Sequence, residues 1–159
     1  MIQDHAPSIS IASADFGRLQ ELAMRALTAR DPVGRFLFSE LERATVETAV
    51  TPPQAVRLDE WVTYRADDGA PRESRMLVLP ENFRSNSLHL SVLSPLGAAL
   101  IGLRPGARMP YRGIDGTPHV ATVESLSPPD GIVSLRQRRS ALARINDDHT
   151  PDDDGPTAA

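Results

Sequence analysis

One stretch just beyond the middle of the chain decides the fold, and it reads Ser91-Val92-Leu93-Ser94-Pro95-Leu96-Gly97-Ala98-Ala99-Leu100-Ile101-Gly102-Leu103. Ser94 followed by Pro95 is typical of a helix start, because the hydroxyl can cap free amides and proline lacks the amide hydrogen that a first turn leaves unpaired. We therefore predict a short apolar helix over residues 96–103. Because Ser94 lacks the flanking glycines of a nucleophile elbow, we assign it to capping and not to catalysis.

Strand patterns lie on both sides of this helix. Five segments have the composition or the alternation of strands: 61–64, 75–79, 88–92, 107–111 and 120–126. Asp67-Asp68-Gly69 and Asp115-Gly116 are turn signals between pairs of them. This part of the chain is therefore predicted to be α+β, a mostly antiparallel sheet with one short helix on it.

Two longer helices are predicted before the sheet. Apolar residues recur at helical spacing over residues 14–29, with Ser13 as the N-cap, and again over residues 33–48, where Glu40 is expected on the solvent side. Asp31 followed by a proline starts the second helix. Because the connection is so short, we expect a short antiparallel helical hairpin.

Proline pairs and charge runs divide the chain into three parts. Pro52 and Pro53 end the second helix, because a proline pushes the preceding residue out of the helical region. The predicted parts are a helical hairpin over 9–50, a sheet domain over 54–129 and a tail over 130–159. The tail is basic and then acidic, and we predict that it is disordered because it has too little apolar surface to bury.

Composition excludes several function classes. The 159 residues carry a net charge of −4, which argues against a protein that coats nucleic acid phosphates. All 17 basic residues are arginine, so the lysine of a nucleotide-binding P-loop is missing, and the absence of cysteine excludes disulfides and thiolate metal sites. No apolar segment approaches the ~20 residues that span a bilayer, and the start lacks a signal-peptide pattern. We expect a cytoplasmic protein without membrane contact.

Few residues are candidates for metal or acid–base chemistry. His89 and His119 are expected to be exposed strand residues and not ligands. The Asp run at 152–154 lacks the first and twelfth ligands of a calcium loop, and we interpret it as part of a solvated tail. We expect no catalytic residue, no metal and no cofactor.

The stretch quoted above, continued by Pro105-Gly106, resembles the signature of the C-terminal domain of the Gre transcript cleavage factors and of the related Rnk family of nucleoside diphosphate kinase regulators. Further agreement lies at residues 56–62, 77–81, 115–116 and, in the second helix, 40–44. The likeness covers about residues 9–129. It implies a helical hairpin joined to a sheet domain similar to that of the FK506-binding proteins, an FKBP-like fold.

The resemblance also implies a partner. Gre-type proteins dock their sheet domain on the rim of the RNA polymerase secondary channel and insert their hairpin toward the active site. By resemblance, the docking edge consists of Leu93, Ser94, Pro95, Leu96 and Gly97. The alternative is that these residues only cap and pack the short helix. We expect a monomer that binds RNA polymerase and makes no direct sequence-specific contact with nucleic acid.

The predicted tip departs from the cleavage factors. Gre-type cleavage requires acidic side chains at the hairpin tip, because the catalytic magnesium needs oxygen ligands. Here the tip offers one carboxylate, Asp31, and Arg30 beside it opposes a cation. Helices of ~15 residues, or ~22 Å, are also about half as long as the cleavage factors' hairpin would need to be. We therefore predict polymerase binding without transcript cleavage, and no enzymatic activity.

Two alternatives stay open. The related sheet fold suggests a peptidyl-prolyl isomerase, which would need an apolar pocket lined by aromatic side chains; the sheet domain holds Trp61, Tyr64, Phe83 and Tyr111. A different protein partner for the hairpin or for the basic segment 131–145 is the other alternative.

Overall fold

The computed structural model describes residues 6–48 and 54–129, which form three helices and seven strands. In chain order these are β1 (Ser10–Ala12), α1 (Ser13–Thr28), α2 (Pro32–Arg43), β2 (Thr45–Glu47), β3 (Glu60–Arg65), β4 (Arg72–Val78), β5 (His89–Ser91), α3 (Pro95–Leu100), β6 (Arg108–Arg112) and β7 (Pro118–Ser125), with a 3-10 turn at Pro80–Asn82 after β4. A mixed α+β architecture, with helices before a multi-stranded sheet, is confirmed. The FKBP-like and antiparallel-hairpin details stay predictions.

The two long helices meet at the predicted turn. The Asp31 carboxylate accepts a hydrogen bond from the Val33 amide at 2.9 Å, and Pro32 occupies the first turn of α2, so this start signal is confirmed. Leu19 and Leu37 are fully buried in the core that the two helices help to form. With 16 and 12 residues, α1 and α2 extend over about 24 and 18 Å.

The predicted extension of α2 to residue 48 is wrong. The helix ends at Arg43, and Thr45–Glu47 form β2, which pairs in parallel with β1. The Thr45 amide donates to the Ile9 carbonyl at 2.9 Å, so backbone pairing replaces further helical turns. Helical spacing of apolar residues continued past Arg43, but the chain had a strand partner near its N-terminus that the local pattern did not reveal.

Two side-chain predictions about the helices are also wrong. Ala12, the last residue of β1, takes the N-cap position of α1 without a side-chain hydrogen bond, and Ser13 lies inside the helix. Glu40 is only 7% exposed, because it pairs with Arg43, which also donates to the Pro7 carbonyl at 2.6 Å. A paired carboxylate can be buried where an isolated one would stay in water.

The main sheet has five strands in the order β5-β4-β3-β7-β6. Strands β3 and β4 form the predicted antiparallel hairpin, with Trp61 opposite Met76, and β6 and β7 form the second, with Met109 opposite Ala121. Strand β5 runs parallel to β4, because the chain crosses over through the 3-10 turn before it returns. The mostly antiparallel pattern follows the sequence prediction.

One continuous core joins the helices to the sheet. Its fully or nearly fully buried members come from β1, both long helices, the sheet and α3, and include Ile11, Leu19, Leu37, Val62, Leu100, Ile101 and Leu103. Gly102 has a φ of +76°, and a Cβ there would lie 2.8 Å from Ile11 Cδ1, so this position requires glycine. The predicted boundary at residues 51–53 and the predicted tail at 130–159 lie outside the described residues, and the three-part division stays a prediction.

Candidate functional site: the α3 start and the hairpin tip

The start of α3 is built around Ser94. Its hydroxyl accepts a hydrogen bond from the Gly97 amide at 3.0 Å and donates to the Ser91 carbonyl at 2.7 Å. The Ser94 amide also donates to the Ser91 carbonyl, at 3.1 Å. The predicted cap at Ser94-Pro95 is therefore confirmed, although α3 ends at Leu100 and not at residue 103. These bonds fix the first turn of α3 against the end of β5.

Gly97 is required at its position by close packing. A Cβ there would overlap the Ser91 carbonyl oxygen, and it would lie 2.8 Å from the Ser91 carbonyl carbon and 3.0 Å from Ser94 Oγ. Since real Cβ atoms essentially never approach other atoms below 3.0 Å, any side chain would force α3 away from β5. The absence of a side chain at Gly97 thus allows α3 to pack closely against the end of β5.

The other residues of the predicted docking segment are partly accessible. Leu93, Pro95 and Leu96 are each half-buried, and both leucines pack against the core while part of their surface faces outward. Behind them, Ala98 and Ala99 are buried. The segment 93–97 therefore combines structural capping with an apolar surface on a rigid support, and the two roles considered from the sequence are compatible.

The hairpin tip carries positive charge. Arg30 is exposed in a left-handed conformation with φ of 57°, and Asp31 is half-buried with its carboxylate bonded to the Val33 amide. Arg35 is exposed on the first turns of α2. These arginines leave Asp31 as the one acidic side chain at the tip, and its oxygen is already used as a helix cap. No hydrogen bond or ion pair of the described residues joins Arg30 or Asp31 to segment 93–97.

An ion-pair cluster that the sequence did not reveal links α1 to the chain before β3. Asp15 is only 5% exposed and pairs with Arg57 at 3.4 Å and with Arg18 at 3.8 Å. Arg18 also reaches Asp59 at 3.1 Å. Arg57 lies 42 positions from Asp15, and Asp59 lies 41 positions from Arg18, so no local pattern could have identified these two pairs. The cluster fixes the base of the hairpin relative to the sheet.

The two described histidines are half-buried, so their predicted exposure is wrong. His119 Nδ1 lies 2.8 Å from Asp67 Oδ2, and its ring stacks on Tyr111 with centroids 5.3 Å apart. The hydrogen bond from His119, followed by those from backbone amides, holds the pKa of Asp67 below its usual range. His89 accepts a hydrogen bond from the Arg84 amide at 3.0 Å. Both rings serve local structure.

The aromatic residues of the sheet are engaged in packing. Tyr64 is fully buried, and desolvation raises its pKa to about 12. The Tyr111 hydroxyl donates to the Ala66 carbonyl at 2.8 Å, Phe83 makes an edge contact with the ring of His89, and Trp61 is half-buried on β3. Over residues 6–48 and 54–129, no group of three or more His, Asp or Glu residues could hold a metal ion. No helix in those ranges is long and apolar enough to cross a membrane.

Known families match both parts of this architecture. The family described as "Transcription elongation factor, GreA/GreB, C-term" matches residues 51–128, and "Rnk N-terminus" matches residues 7–46. The regulator of nucleoside diphosphate kinase of Escherichia coli K12 is 35% identical over 102 residues, which cover 63% of this chain and 74% of that protein. This chain belongs to the Rnk family. The sequence-based resemblance is thereby confirmed.

The Rnk family is related to the Gre factors, and a solved structure supports the relationship. The prokaryotic transcription elongation factor GreA/GreB from Nitrosomonas europaea is 29% identical, with a TM-score of 0.57, and the match covers 75% of this chain and 97% of that one. The regulator from Shigella flexneri matches with the same identity and coverage as the Escherichia coli K12 protein. These relatives are named as regulators or factors and not as enzymes.

Proposed function

We propose that this Rnk-family protein is a bacterial, cytoplasmic transcription regulator that binds RNA polymerase at the rim of its secondary channel and does not cleave the transcript. Membership of the Rnk family and the relationship to the GreA/GreB factors support the first part. The observation that carries the second part is the hairpin tip, where one carboxylate, already bonded as a helix cap, stands among arginines.

The docking surface that we propose is segment 93–97. Its half-buried Leu93, Pro95 and Leu96 offer apolar contact area on a turn whose geometry Ser94 and Gly97 fix. A preformed apolar surface loses little conformational entropy when a partner binds, so more of the contact energy contributes to affinity. This property suits reversible docking on a protein rim.

Absence of cleavage follows from the chemistry of magnesium. Mg²⁺ is bound by carboxylates together with substrate phosphates, and a cleavage factor must bring such oxygens to the polymerase active centre. The tip has Asp31 alone, with its Oδ1 accepting a hydrogen bond from Val33, and Arg30 and Arg35 beside it repel a cation. With helices of about 24 and 18 Å, the hairpin is also short. The protein would therefore act by occupying the secondary channel of RNA polymerase. Any influence on nucleoside diphosphate kinase would be indirect.

The docking proposal is tested by co-purification with purified RNA polymerase core enzyme. Pro95→Arg places a charge in the proposed apolar surface, and we expect binding to fall at least tenfold. Pro71→Arg is the matched control, because Pro71 is exposed in the turn between β3 and β4, and it should bind like the parent protein. Thermal melts of both variants establish that they are folded. Equal binding by the two variants, or no binding of the parent protein at micromolar concentration, would exclude this surface.

The two alternatives predict other outcomes. A peptidyl-prolyl isomerase would accelerate proline isomerisation in a short peptide, but no observation on the described residues favours this activity. If a partner binds through residues 131–145, which lie outside the described ranges, deletion of 130–159 would abolish binding. Pro95→Arg would then have no effect on binding.

A further inference from the structure

The arginines of the hairpin tip differ from most other arginines of the described chain. Most guanidinium groups of the described chain are neutralised or bonded: Arg65 pairs with Glu124 at 2.6 Å, Arg108 with Asp68 at 2.7 Å, and even the exposed Arg112 donates to a backbone carbonyl at 3.0 Å. The side chains of Arg30 and Arg35, like that of Arg25 in α1, have no hydrogen bond or ion pair to any residue in 6–48 or 54–129. As far as the described residues go, these guanidinium groups of the tip are therefore available to bind an anion.

A depression of about 340 Å³ lies between these arginines. It is lined by Leu27, Arg30, Asp31, Pro32 and Arg35. The volume lies at the lower end of the range for small-molecule sites, ~300–1,000 Å³, and is suited to one small ligand. The lining combines two forked cations with the apolar surfaces of Leu27 and Pro32, so it can contact an anionic group and a flat apolar group together.

The backbone under the depression is fixed. The Asp31 amide donates to the Ala26 carbonyl, and the Arg30 amide donates to the Leu27 carbonyl, each at 2.9 Å. Gly34 packs directly against Ala26, where an added Cβ would lie 2.9 Å from the Ala26 carbonyl carbon, so the helices cannot separate without losing this contact. Only the arginine side chains need to become ordered when a ligand binds, which limits the entropic cost.

We propose that the tip depression binds the polyphosphate group of a nucleotide. Arg30 and Arg35 would donate forked hydrogen bonds to phosphate oxygens, and Leu27 and Pro32 would contact the base or sugar. The Asp31 carboxylate offsets one of the two positive charges at the site, but its Oδ1 already accepts a hydrogen bond from the Val33 amide. The apolar lining and the volume favour a nucleotide over the carboxylates of an acidic protein, and a depression of about 340 Å³ with two arginines is suited to one nucleotide more than to an extended RNA strand.

This proposal does not rest on polymerase binding, and it is tested on the full-length protein alone. Isothermal titration calorimetry with ATP and with inorganic tripolyphosphate, in buffer without magnesium, measures the site directly. We expect one ATP per chain, with tripolyphosphate weaker because it lacks the apolar contact. Arg30→Ala and Arg35→Ala should each weaken ATP binding by about tenfold, the loss expected for one charge-assisted contact. Added salt should weaken ATP binding by the parent protein more than by either variant, because screening acts on the charge–charge contacts that the variants have lost.

Arg25→Ala is the matched control. Arg25 is an exposed arginine in the last turn of α1, but it does not line the depression. Its loss should change ATP affinity less than twofold, and thermal melts of all three variants should lie close to the parent protein. Absence of ATP binding at millimolar concentration, or equal losses for Arg25→Ala and Arg35→Ala, would overturn the proposal.

Two further outcomes would also overturn it and identify another ligand. Binding of a ten-nucleotide single-stranded RNA with no binding of ATP would assign the arginines to a nucleic acid backbone. Loss of polymerase binding in Arg30→Ala and Arg35→Ala, with no ATP binding by the parent protein, would assign them to an acidic protein surface. Because polymerase binding is measured separately with Pro95→Arg, failure of either proposal can be distinguished from failure of the other.

Discussion

Gly97→Ala should destabilise the protein, because a single methyl group has no space between α3 and β5. The new Cβ would overlap the Ser91 carbonyl oxygen and lie 2.8 Å from its carbon, well inside ordinary contact distance. To relieve this overlap, the first turn of α3 must move away from β5. That movement breaks the 2.7 Å bond from the Ser94 hydroxyl to Ser91 and the 3.1 Å bond from the Ser94 amide.

The expected loss combines three contributions of known size. Overpacking costs ~1–3 kcal/mol, and disruption of a serine cap costs ~1 kcal/mol, whereas replacing a helical glycine by alanine returns up to ~1 kcal/mol. The net loss in the free energy of unfolding is about 1–4 kcal/mol. In a domain of this size, at ~3 °C per kcal/mol, that corresponds to a melting temperature about 3–12 °C lower.

Gly17→Ala is the matched control for this measurement. Gly17 also lies in a helix, and a Cβ there meets nothing within 4 Å, so only the gain in helix propensity applies. Its melting temperature should stay equal or rise by about 3 °C. Thermal and denaturant unfolding followed by circular dichroism at 222 nm measure both variants. A Gly97→Ala melting temperature within 2 °C of the parent protein would refute the close packing described for α3.

Three other perturbations have definite expected outcomes. Gly34→Ala should lower the free energy of unfolding by ~1–3 kcal/mol, because the added Cβ would overlap Ala26. In the double variant, Ala26→Gly should recover part of this loss, and additive losses would contradict the proposed overlap. The hydrogen bond from His119 lowers the pKa of Asp67 in the folded protein, so the stability that this carboxylate contributes is present above about pH 4 and is lost as the pH falls through the folded pKa. Asp67→Asn should therefore make stability, measured by urea unfolding, depend less on pH in the acid range. An unchanged acid dependence would contradict this. Burial raises the pKa of Tyr64 to about 12, so the stability that its neutral side chain contributes is complete below pH ~10 and is lost as the pH rises to 12. Absorbance at 295 nm should show one tyrosine that ionises only near the upper value. Ionisation of every tyrosine near pH 10 would contradict this.

The sequence predicted the elements whose signals are local. The start of α3 follows from Ser94 next to Pro95, and the start of α2 follows from Asp31 next to Pro32, because a cap and a first-turn proline act within a few residues. The turns of both β-hairpins follow from Asp and Gly pairs in the same way. The family resemblance, carried by the α3 stretch, is confirmed by the family matches.

The missed features depend on residues far apart in the chain. Strand β2 forms because Thr45 finds a partner at Ser10, and this pairing ends α2 although its apolar spacing continues. The burial of Asp15 depends in the same way on Arg57, and that of Glu40 on Arg43, whose own position depends on Pro7. Single-sequence periodicity describes one element at a time and cannot specify which elements meet.

The candidate site shows the same difference between features set by local sequence and features set by distant residues. The residues of segment 93–97 and of the tip were named from the sequence, and the structure adds that Gly97 and Ser94 are tied to Ser91. Among residues 6–48 and 54–129, Arg30 and Arg35 lack ionic partners while Arg108 has one, and this difference could not be predicted because Arg108 pairs with a residue 40 positions away. The role of segment 93–97 in docking stays a prediction.

A transcript cleavage assay distinguishes a protein that only occupies the polymerase channel from one that also stimulates hydrolysis of the transcript. The assay uses a backtracked RNA polymerase elongation complex with saturating magnesium and compares the parent protein, a Gre cleavage factor, and the two together. We expect the Rnk-family protein alone to leave the cleavage rate at the intrinsic level and, in excess, to lower the rate obtained with the cleavage factor. Magnesium-dependent stimulation by the protein alone, lost on Asp31→Ala, would contradict this expectation.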